Sequence, residues 1–471
     1  MKKTLLSIIM AFFMAFSICL TGSKDKGLED NPPTTATVIS NGGMSVVKGD
    51  YLYFVNGYVD ETTLTKDDNK AGKVTKGAIY RTKLENSEIS KDKDGFLNNS
   101  DCVVSKVVGF SNGGFAIIDD YIYYATPYMK FSSSGTLQNN RVEFHRIKIN
   151  GTEDKVIYTT SASEDSLDWK LYKVGDTTYL VMYESEKIVS INAGNGDVVG
   201  SVESLTSRAF LENDEYIYSD SRTNYNQTHI YFTRDITDAD GVYDYKGNAV
   251  CAFNITNGDV SVLERSRENT YTIKHVTKDT VYYTYTSTGK PIACLYKRSS
   301  TQDWTKTNEI TLTNKAYDSY YFANYGSDLI VATADECTWL LENGTSSIIS
   351  NTARSFLGVY GNYCYYMNEG DLIRMDIRTG DLQDAVTEAN LLLTNSNYID
   401  FDNRRIYVYN EYTAENGDTN YYLSYFDEDY TEDTFKHRFV GVFECDDLPE
   451  KPEQPEPEYE GDTVDYVPHI D

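Results

Sequence analysis

The sequence predicts an all-β chain, built from four-stranded antiparallel sheets that repeat along the chain and close into a ring. Three observations lead to this fold class. Tyr supplies 41 of the 471 residues, and Tyr, Val, Ile and Thr all favour strands. No long segment after residue 20 has the 3.6-residue apolar period of a helix. One pair of strand-like runs recurs along most of the chain.

The first run of each pair is a polar turn followed by an aromatic strand. Its eight copies are KGDYLYFVNG from Lys48, DDYIYYAT from Asp119, GDTTYLVMY from Gly175, NDEYIYSD from Asn213, KDTVYYTYT from Lys278, GSDLIVAT from Gly326, GNYCYYMN from Gly361 and DNRRIYVYN from Asp402. These strands are apolar on both faces, as expected of a strand that is buried between two neighbouring sheets.

The second run of each pair is a strand that ends in a tight turn. Six copies are clear: AIYRTKLENSE, EFHRIKINGTED, IVSINAGNGDV, CAFNITNGDV, TWLLENGTSS and IRMDIRTGDL. Four of these turns contain Asn-Gly, at 150–151, 195–196, 257–258 and 343–344. Asn-Gly supplies the two positive-φ positions of a type I′ turn, so we expect that turn type here.

The length of one copy indicates the architecture. The compact copies take ~35–40 residues, which is the size of a four-stranded propeller blade. A ring of blades covers both faces of each sheet and leaves only short edges. We therefore predict a single β-propeller over residues 36–445. Eight blades are expected, and seven are the alternative because the third copy is irregular and the sixth is short.

The first two repeats carry a resemblance to a known family. GDYLYFVNG…GAIYRTKLE and DDYIYYAT…FHRIKINGTEDKVIY resemble bacterial secreted propellers of unknown function, themselves described as similar to the propeller of low-density lipoprotein receptor-related proteins. The shared pattern is Gly-Asp-x-Ile-Tyr-Tyr, then Leu-Tyr-Arg-Ile, then Asp/Asn-Gly-Thr. The resemblance implies the propeller fold and no catalytic residue.

The two ends of the chain predict export and a short extended tail. Lys2 and Lys3 precede an apolar run and small residues, which is the pattern of a cleaved signal over residues 1–22. Its Leu-Thr-Gly-Ser end is lipobox-like, with Ser23 at the usual cysteine position. Residues 23–35 form a short leader. Residues 446–471 are rich in Pro and Glu, and such a composition predicts a disordered acidic tail.

The net charge, the apolar segments and the cysteines limit the classes of partner and indicate the state of the thiols. The formal charge of −29 argues against nucleic acid, because phosphate binding needs a basic surface. No later segment reaches 18 apolar residues, so no integral membrane domain is expected after signal cleavage. The six cysteines beyond residue 22 have no CxxC spacing, and most lie in strand-like runs, which favours buried free thiols.

The candidate binding residues lie in long connections between second and third strands. These connections span residues 57–77, 126–140, 220–248 and 410–420, and insertions on one rim of a rigid scaffold are a usual place for binding. The aromatic residues expected to contact a ligand are Tyr58, Tyr128, Phe131, Tyr225, Tyr243 and Tyr245. The alternative is that these insertions are merely tolerated on the surface.

Metal and enzyme chemistry have weaker sequence support. Asp238, Asp240 and Asp244 surround a glycine, as a calcium site would need, but the Glu at position 12 of an EF-hand loop is missing. No other cofactor is expected. The sequence favours a monomeric, non-catalytic extracytoplasmic module that binds a protein, peptide or glycan at the bacterial surface. The alternative is a secreted glycoside hydrolase or polysaccharide lyase with carboxylates in the central channel.

Overall fold

A computed structural model gives the architecture of the chain. The structure describes residues 38–57, 77–86, 100–108, 114–131, 133–134, 137–160, 168–184, 187–203, 205–208, 228–236, 247–276, 280–287, 290–291, 294–299, 304, 306–311, 321–325, 328–332, 337–340, 346–350, 356–360, 362–368, 371–380, 382–386, 391–392, 398–400, 405–413, 419–427 and 438–440. Within these ranges no helix is long and apolar enough to cross a membrane.

The described residues form eight antiparallel sheets, numbered here in chain order. Sheet 1 contains β2 (Ser45–Lys48), β3 (Tyr51–Val55), β4 (Ile79–Lys83) and β5 (Ser100–Val104), with a 3₁₀ turn (Leu84–Asn86). Sheet 2 contains β1 (Val38–Gly43), β6 (Phe115–Ile118), β7 (Tyr121–Phe131), β8 (Leu137–Lys148) and β9 (Lys155–Thr159). Sheet 3 contains β10 (Asp168–Val174), β11 (Thr177–Glu184), β12 (Lys187–Asn192) and β13 (Val198–Val202).

Five further sheets follow with the same meander order. Sheet 4 contains β14 (Leu205–Arg208), β15 (His229–Ile236), β16 (Gly247–Asn254) and β17 (Val260–Ser266). Sheet 5 contains β18 (Asn269–Val276), β19 (Thr280–Ser287), β20 (Lys290–Pro291), β21 (Cys294–Ser299) and β22 (Lys306–Thr311). Sheet 6 contains β23 (Tyr321–Tyr325), β24 (Asp328–Ala332), β25 (Cys337–Leu340) and β26 (Ser346–Ser350). Sheet 7 contains β27 (Phe356–Tyr360), β28 (Tyr363–Asn368), β29 (Asp371–Asp376) and β30 (Leu382–Val386). Sheet 8 contains β31 (Leu391–Leu392), β32 (Tyr398–Asp400), β33 (Arg405–Thr413), β34 (Thr419–Asp427) and β35 (Arg438–Val440).

The predicted all-β propeller class is confirmed by this topology. Seven of the eight aromatic runs form the second strand of a sheet, and the quoted second runs form the third strands. In β3 every residue is buried, which agrees with a strand covered on both faces. The blade number of eight, with seven as the alternative, stays a prediction.

The fourth aromatic run is the exception. The prediction placed the second strand of this repeat at residues 213–220, which lie outside the described residues. The structure instead pairs β15 (His229–Ile236) with β14 and β16. Ile230, Tyr231 and Phe232 of β15 are fully buried. The HIYF run therefore supplies the buried strand, because it offers the same two-sided apolar surface as the run that was predicted.

The ring closes by packing between the last and the first sheets. Tyr407, Leu423 and Tyr425 of sheet 8 belong to one buried cluster with Val46 and Phe54 of sheet 1. The same cluster includes buried residues of sheet 2. Sheets 8, 1 and 2 are therefore consecutive neighbours around the ring.

First strands form the inner edge of the ring, where they contact one another. Strand β2 contacts β32, β14 contacts β18, and β23 contacts β27. Strand β1 begins near the predicted start of the propeller at residue 36, but its place in sheet 2 was not predicted. It pairs antiparallel with β6 and also contacts β2 and β10. Sheet 2 thus has a fifth strand at its inner edge.

The expected type I′ turns are wrong in the three described cases. Gly151, Gly196 and Gly258 have positive φ, but the Asn before each of them does not. In the second of these turns, the Gly196 N–H donates to the Asn192 carbonyl at 2.8 Å. These turns therefore follow the type I pattern with one left-handed glycine. In each of them the Asn side-chain oxygen accepts from the N–H of the residue after the glycine, which is Thr152, Asp197 or Asp259. Residues 343–344 lie outside the described residues.

The same glycines bring neighbouring sheets into close contact. A Cβ at position 151 would lie 3.1 Å from the Val103 carbonyl oxygen, and one at position 196 would lie 2.7 Å from that of Ile157. In both cases the turn before the fourth strand of one sheet touches the fourth strand of the preceding sheet. The Asn-Gly motif is therefore an inter-sheet packing motif as well as a turn.

The Tyr and Arg residues of the repeat pattern also act in packing. The guanidinium carbons of Arg81, Arg146 and Arg374 lie 4.5, 4.6 and 4.8 Å from the ring centroids of Tyr51, Tyr121 and Tyr363, respectively. Each arginine is on a third strand, and each tyrosine begins the adjacent second strand. Cation–π stacking of this kind stabilises a sheet without requiring a ligand. Cys251 and Cys364 are buried free thiols, as predicted, whereas the free thiol of Cys102 is only half-buried.

Candidate functional site

Two of the predicted ligand-contacting aromatics lie in a strand rather than a loop. Tyr128 and Phe131 belong to β7, and the pairing of β7 with β8 continues to Phe131 and Leu137. The prediction of a loop over residues 126–140 is therefore wrong. A long hairpin forms instead, because its two strands satisfy each other's backbone groups whatever their side chains are.

The other predicted site residues lie outside the described residues. They are Tyr58, Tyr225, Tyr243 and Tyr245, together with the calcium candidates Asp238, Asp240 and Asp244. The predicted loop over residues 220–248 is wrong in extent, since it contains β15 and the start of β16. In the part of the chain that the structure describes, no group of three His, Cys, Asp or Glu side chains is arranged to hold a metal ion.

The predicted loop over residues 410–420 is also mainly a hairpin. Strands β33 and β34 pair in continuous register from Arg405 with Asp427 to Thr413 with Thr419. The connection over residues 57–77 keeps its predicted place between β3 and β4. Its base is closed, because Gly77 N–H donates to the Asn56 carbonyl at 2.7 Å and Asn56 N–H donates to the Ala78 carbonyl at 2.8 Å.

These three extended connections stand on three adjacent sheets. They belong to sheets 8, 1 and 2, which share one buried core. Because every sheet repeats the same strand order, the connections between second and third strands emerge at the same end of the ring. We give the name rim to residues 56–78, 127–142 and 411–421, of which the structure describes 56–57, 77–78, 127–131, 133–134, 137–142, 411–413 and 419–421. It is the candidate functional site.

A cluster of ionisable side chains lies beside the rim, between sheets 1 and 2. His145 of β8 is 2% exposed. Its Nδ1 lies 2.9 Å from Asp154 Oδ1, and its Nε2 lies 3.4 Å from Glu143 Oε2. The Tyr124 hydroxyl donates to the same Asp154 oxygen at 3.0 Å, and the Tyr124 ring stacks on the imidazole.

Lys106 connects this cluster to the preceding sheet. It follows β5 in the connection to sheet 2, and its Nζ lies 3.0 Å from Asp154 Oδ2. Two residues later, Val108 N–H donates to the Gly77 carbonyl at 2.7 Å. The same segment therefore contacts both the ionisable cluster and the base of the 57–77 connection.

The pKa values in this cluster are shifted by burial and by the pairing of opposite charges. Burial alone would lower the pKa of His145, but its bonds to Asp154 and Glu143 outweigh burial and raise the pKa. Burial alone would raise the pKa of Asp154, but the partners His145 and Lys106 lower it to about 2. The two carboxylates thus favour the protonated, charged form of His145.

The sequence contained a signal for this cluster that our prediction did not use. Glu143 and His145 are two residues apart in a strand, so their side chains lie on the same face. Asp154 follows the tight turn of the same EFHRIKINGTED run, which returns it to the neighbourhood of His145. Lys106 had no such signal, because its contact depends on the packing of two sheets.

A second cluster joins sheets 4 and 5 through Glu264. Its carboxylate accepts from the Tyr283 hydroxyl and from Arg298 Nη2, the latter at 3.1 Å. Arg298 Nη1 also donates to the Trp304 carbonyl at 2.6 Å. Burial and the adjacent Glu264 carboxylate raise the pKa of Tyr283. This cluster contains an acid, but that acid is paired with groups of the neighbouring sheet.

Further hydrogen bonds and ion pairs between side chains and neighbouring sheets occur around sheet 2. Lys48 of sheet 1 donates to the Asp119 carbonyl and lies 3.5 Å from Asp120 Oδ1. Lys173 of sheet 3 donates to the Asp119 carboxylate. Between sheets 2 and 3, the Tyr158 hydroxyl donates to Glu184 at 2.9 Å. Ionisable side chains in the described part of the ring thus repeatedly serve to join one sheet to the next.

Comparison with known proteins finds similar solved structures at low sequence identity. No family model matches the chain, and no curated protein matches it. A solved structure described as the eukaryotic initiation factor is similar, with 9% identity over 88% of this chain and 91% of that chain and a TM-score of 0.48. Dipeptidyl peptidase 4 of Porphyromonas gingivalis has 10% identity over 86% and 60%, with a TM-score of 0.47. The Cps50 (Swd1) β-propeller domain of Myceliophteria_thermophila has 11% identity over 64% and 92%, with a TM-score of 0.38.

Proposed function

We propose that this chain is a non-catalytic, extracytoplasmic β-propeller that binds a protein, peptide or glycan at the rim. The observation that carries the proposal is that the extended β7–β8 and β33–β34 hairpins and the closed base of the 57–77 connection belong to sheets 2, 8 and 1, which share one core. Binding surfaces are commonly built from extended connections on a rigid scaffold. The export pattern of residues 1–22 and the resemblance of the first two repeats to secreted bacterial propellers support the proposed location.

The state of the described carboxylates supports binding rather than hydrolysis. Hydrolysis of a glycosidic bond needs two carboxyl groups that face each other across the substrate. Asp154, Glu184 and Glu264 each contact a basic or phenolic group, and two of these contacts cross from one sheet to the next. These three acids therefore already have structural partners within the protein.

The experiment compares the mature chain, residues 23–471, with rim variants on glycan and peptide arrays. In one variant, residues 58–76 are replaced by Asn-Gly, which the closed base at Asn56 and Gly77 permits. In a second, residues 128–141 are replaced by Asn-Gly, which leaves Pro127 opposite Val142. The proposal predicts that array binding falls at least tenfold while the melting temperature stays within a few degrees.

A control variant changes exposed apolar residues away from the rim. Val198 and Val262 are 56% and 47% exposed on the fourth strands of sheets 3 and 4, and Val198→Ser with Val262→Ser should leave binding unchanged. Retained binding by both rim variants would refute the proposal. Release of shortened glycans from the array by the mature chain would favour the enzyme instead.

A further inference from the structure

The N-terminal strand occupies an edge that the ring does not need for closure. Sheet 8 is completed by strands from its own segment, residues 391–440, and it packs directly on sheet 1. Strand β1 instead adds to sheet 2. Its position therefore calls for an explanation other than the joining of the two chain ends.

Strand β1 lies where three sheets meet at the inner side of the ring. It pairs with β6, the inner strand of sheet 2, and contacts β2 and β10, the first strands of sheets 1 and 3. The β6 residues Phe115, Ile117 and Ile118 are at most 1% exposed. The edge of β6 that pairs with β1 is thus the kind of sheet edge to which an extended peptide can add as a further strand.

The pairing of β1 is less regular than that of the other strands beside it. Its partners are Val38 with Ile118, Ser40 with Ile117, Asn41 with Ala116 and Gly43 with Phe115, with irregularities after Val38 and after Asn41. By contrast, β10 and β11 pair without interruption from Asp168 to Val174. Each irregularity leaves one residue out of the ladder, so four of the six residues of β1 pair with β6.

The composition of β1 also fits an exchangeable occupant. Its sequence, VISNGG, has no charge and ends in two glycines, and glycine weakens a strand because it loses much backbone freedom on pairing. Strands that hold a sheet together are normally richer in β-branched and aromatic residues, as β6 and β7 are.

We propose that the inner edge of β6 is a binding site for an extended, uncharged peptide, and that β1 is its intramolecular occupant. A ligand strand would pair antiparallel with β6 and replace β1. Because β1 is tethered, its effective concentration reaches the millimolar range, and it excludes weaker peptides. This site is separate from the rim, and rim variants should leave it intact.

The test uses a fluorescent synthetic peptide with the sequence of residues 36–45, ATVISNGGMS, and follows its anisotropy. The proteins are the mature chain, residues 23–471, and a chain that starts at Met44 and lacks β1. The chain without β1 should bind the peptide at least tenfold more tightly than the mature chain does. The peptide should also raise its melting temperature.

A control peptide carries Ile39→Pro and Ser40→Pro. Proline has no backbone N–H, so the two substitutions remove two adjacent N–H groups, one of which faces β6 in an antiparallel ladder. This peptide should bind at least tenfold more weakly. A second protein, the mature chain with Ile39→Pro and Ser40→Pro, keeps its full length and should bind the native peptide. Equal binding of both peptides, or no binding to either folded variant, would overturn the proposal. It would also be overturned if neither variant folded, since β1 would then be a required part of the ring.

Discussion

Replacing Gly196 tests the contact between neighbouring sheets. Gly196 has a φ of +87°, and its added Cβ would lie 2.7 Å from the Ile157 carbonyl oxygen of the preceding sheet. That distance is too short for a carbon beside a backbone oxygen, so Gly196→Ala must move the turn or separate sheets 2 and 3. Gly175→Ala provides the matched control, because Gly175 has a φ of +58° and no atom lies within 4 Å of its added Cβ.

The expected losses differ by the size of the clash. A non-glycine residue in the left-handed region costs about 1–2 kcal/mol, and this cost applies to both variants. Overpacking of a well-packed contact costs about 1–3 kcal/mol more, and it applies only to Gly196→Ala. We therefore expect Gly196→Ala to lower the free energy of unfolding by about 2–5 kcal/mol and Gly175→Ala by about 1–2 kcal/mol.

Urea unfolding followed by far-ultraviolet circular dichroism measures this difference. The prediction is a decrease in the urea midpoint for Gly196→Ala that is at least twice the decrease for Gly175→Ala. Equal decreases would mean that the turn does not press on Ile157, and the inter-sheet role of the Asn-Gly motif would be wrong.

Three further predictions concern the ionisable clusters. Folding raises the pKa of His145, so the stability that this residue contributes is complete below its unfolded pKa and is lost as pH rises through its folded pKa. The urea midpoint of the native protein should therefore decrease between pH 6 and pH 9, and His145→Gln should remove part of that decrease. Folding lowers the pKa of Asp154 to about 2, so the stability that this residue contributes is present above its unfolded pKa and is lost as pH falls towards 2. The melting temperature of Asp154→Asn should therefore fall less between pH 5 and pH 2 than that of the native protein. Glu264→Leu removes the carboxylate that pairs with Arg298, whose side chain is 15% exposed. This variant should lower the free energy of unfolding by about 2 kcal/mol, which lies between the losses that follow from breaking a buried and a surface ion pair. Its control, Lys148→Ala, breaks a surface pair with Glu153 and should change the free energy by less than about 1 kcal/mol in the same urea titration; similar losses for both variants would contradict the packing role of Glu264.

Local sequence patterns predicted the strands well because each strand is recognisable by itself. Runs such as YLYFV at β3 are apolar on both faces, and the adjacent polar turns mark their ends. The fourth repeat shows the limit of this approach. NDEYIYSD and HIYFTRDI both present alternating aromatic and β-branched residues, and only pairing with β14 and β16 distinguishes the strand at His229–Ile236.

Contacts between sheets could not be predicted, because they join residues that are far apart in sequence. The turn type depended on side-chain bonds: Asp197 N–H donates to Asn195 Oδ1 at 3.0 Å, and Asn195 Nδ2 donates to Asp197 Oδ2 at 2.6 Å. The pairing of β1 with β6 joins segments about 75 residues apart, with no pattern in VISNGG to indicate its partner. For the rim, the sequence located the long connections, whereas the strand character of β7–β8 and β33–β34 emerged only from their pairing.

The most direct test of the central claim is hydrogen–deuterium exchange on residues 23–471, with and without the strongest array ligand. The claim that the rim binds predicts slower exchange at residues 56–78, 127–142 and 411–421 when the ligand is present. Exchange in the outer strands β9, β13 and β17 should not change. Slower exchange confined to those outer strands, with no change at the rim, would contradict the claim.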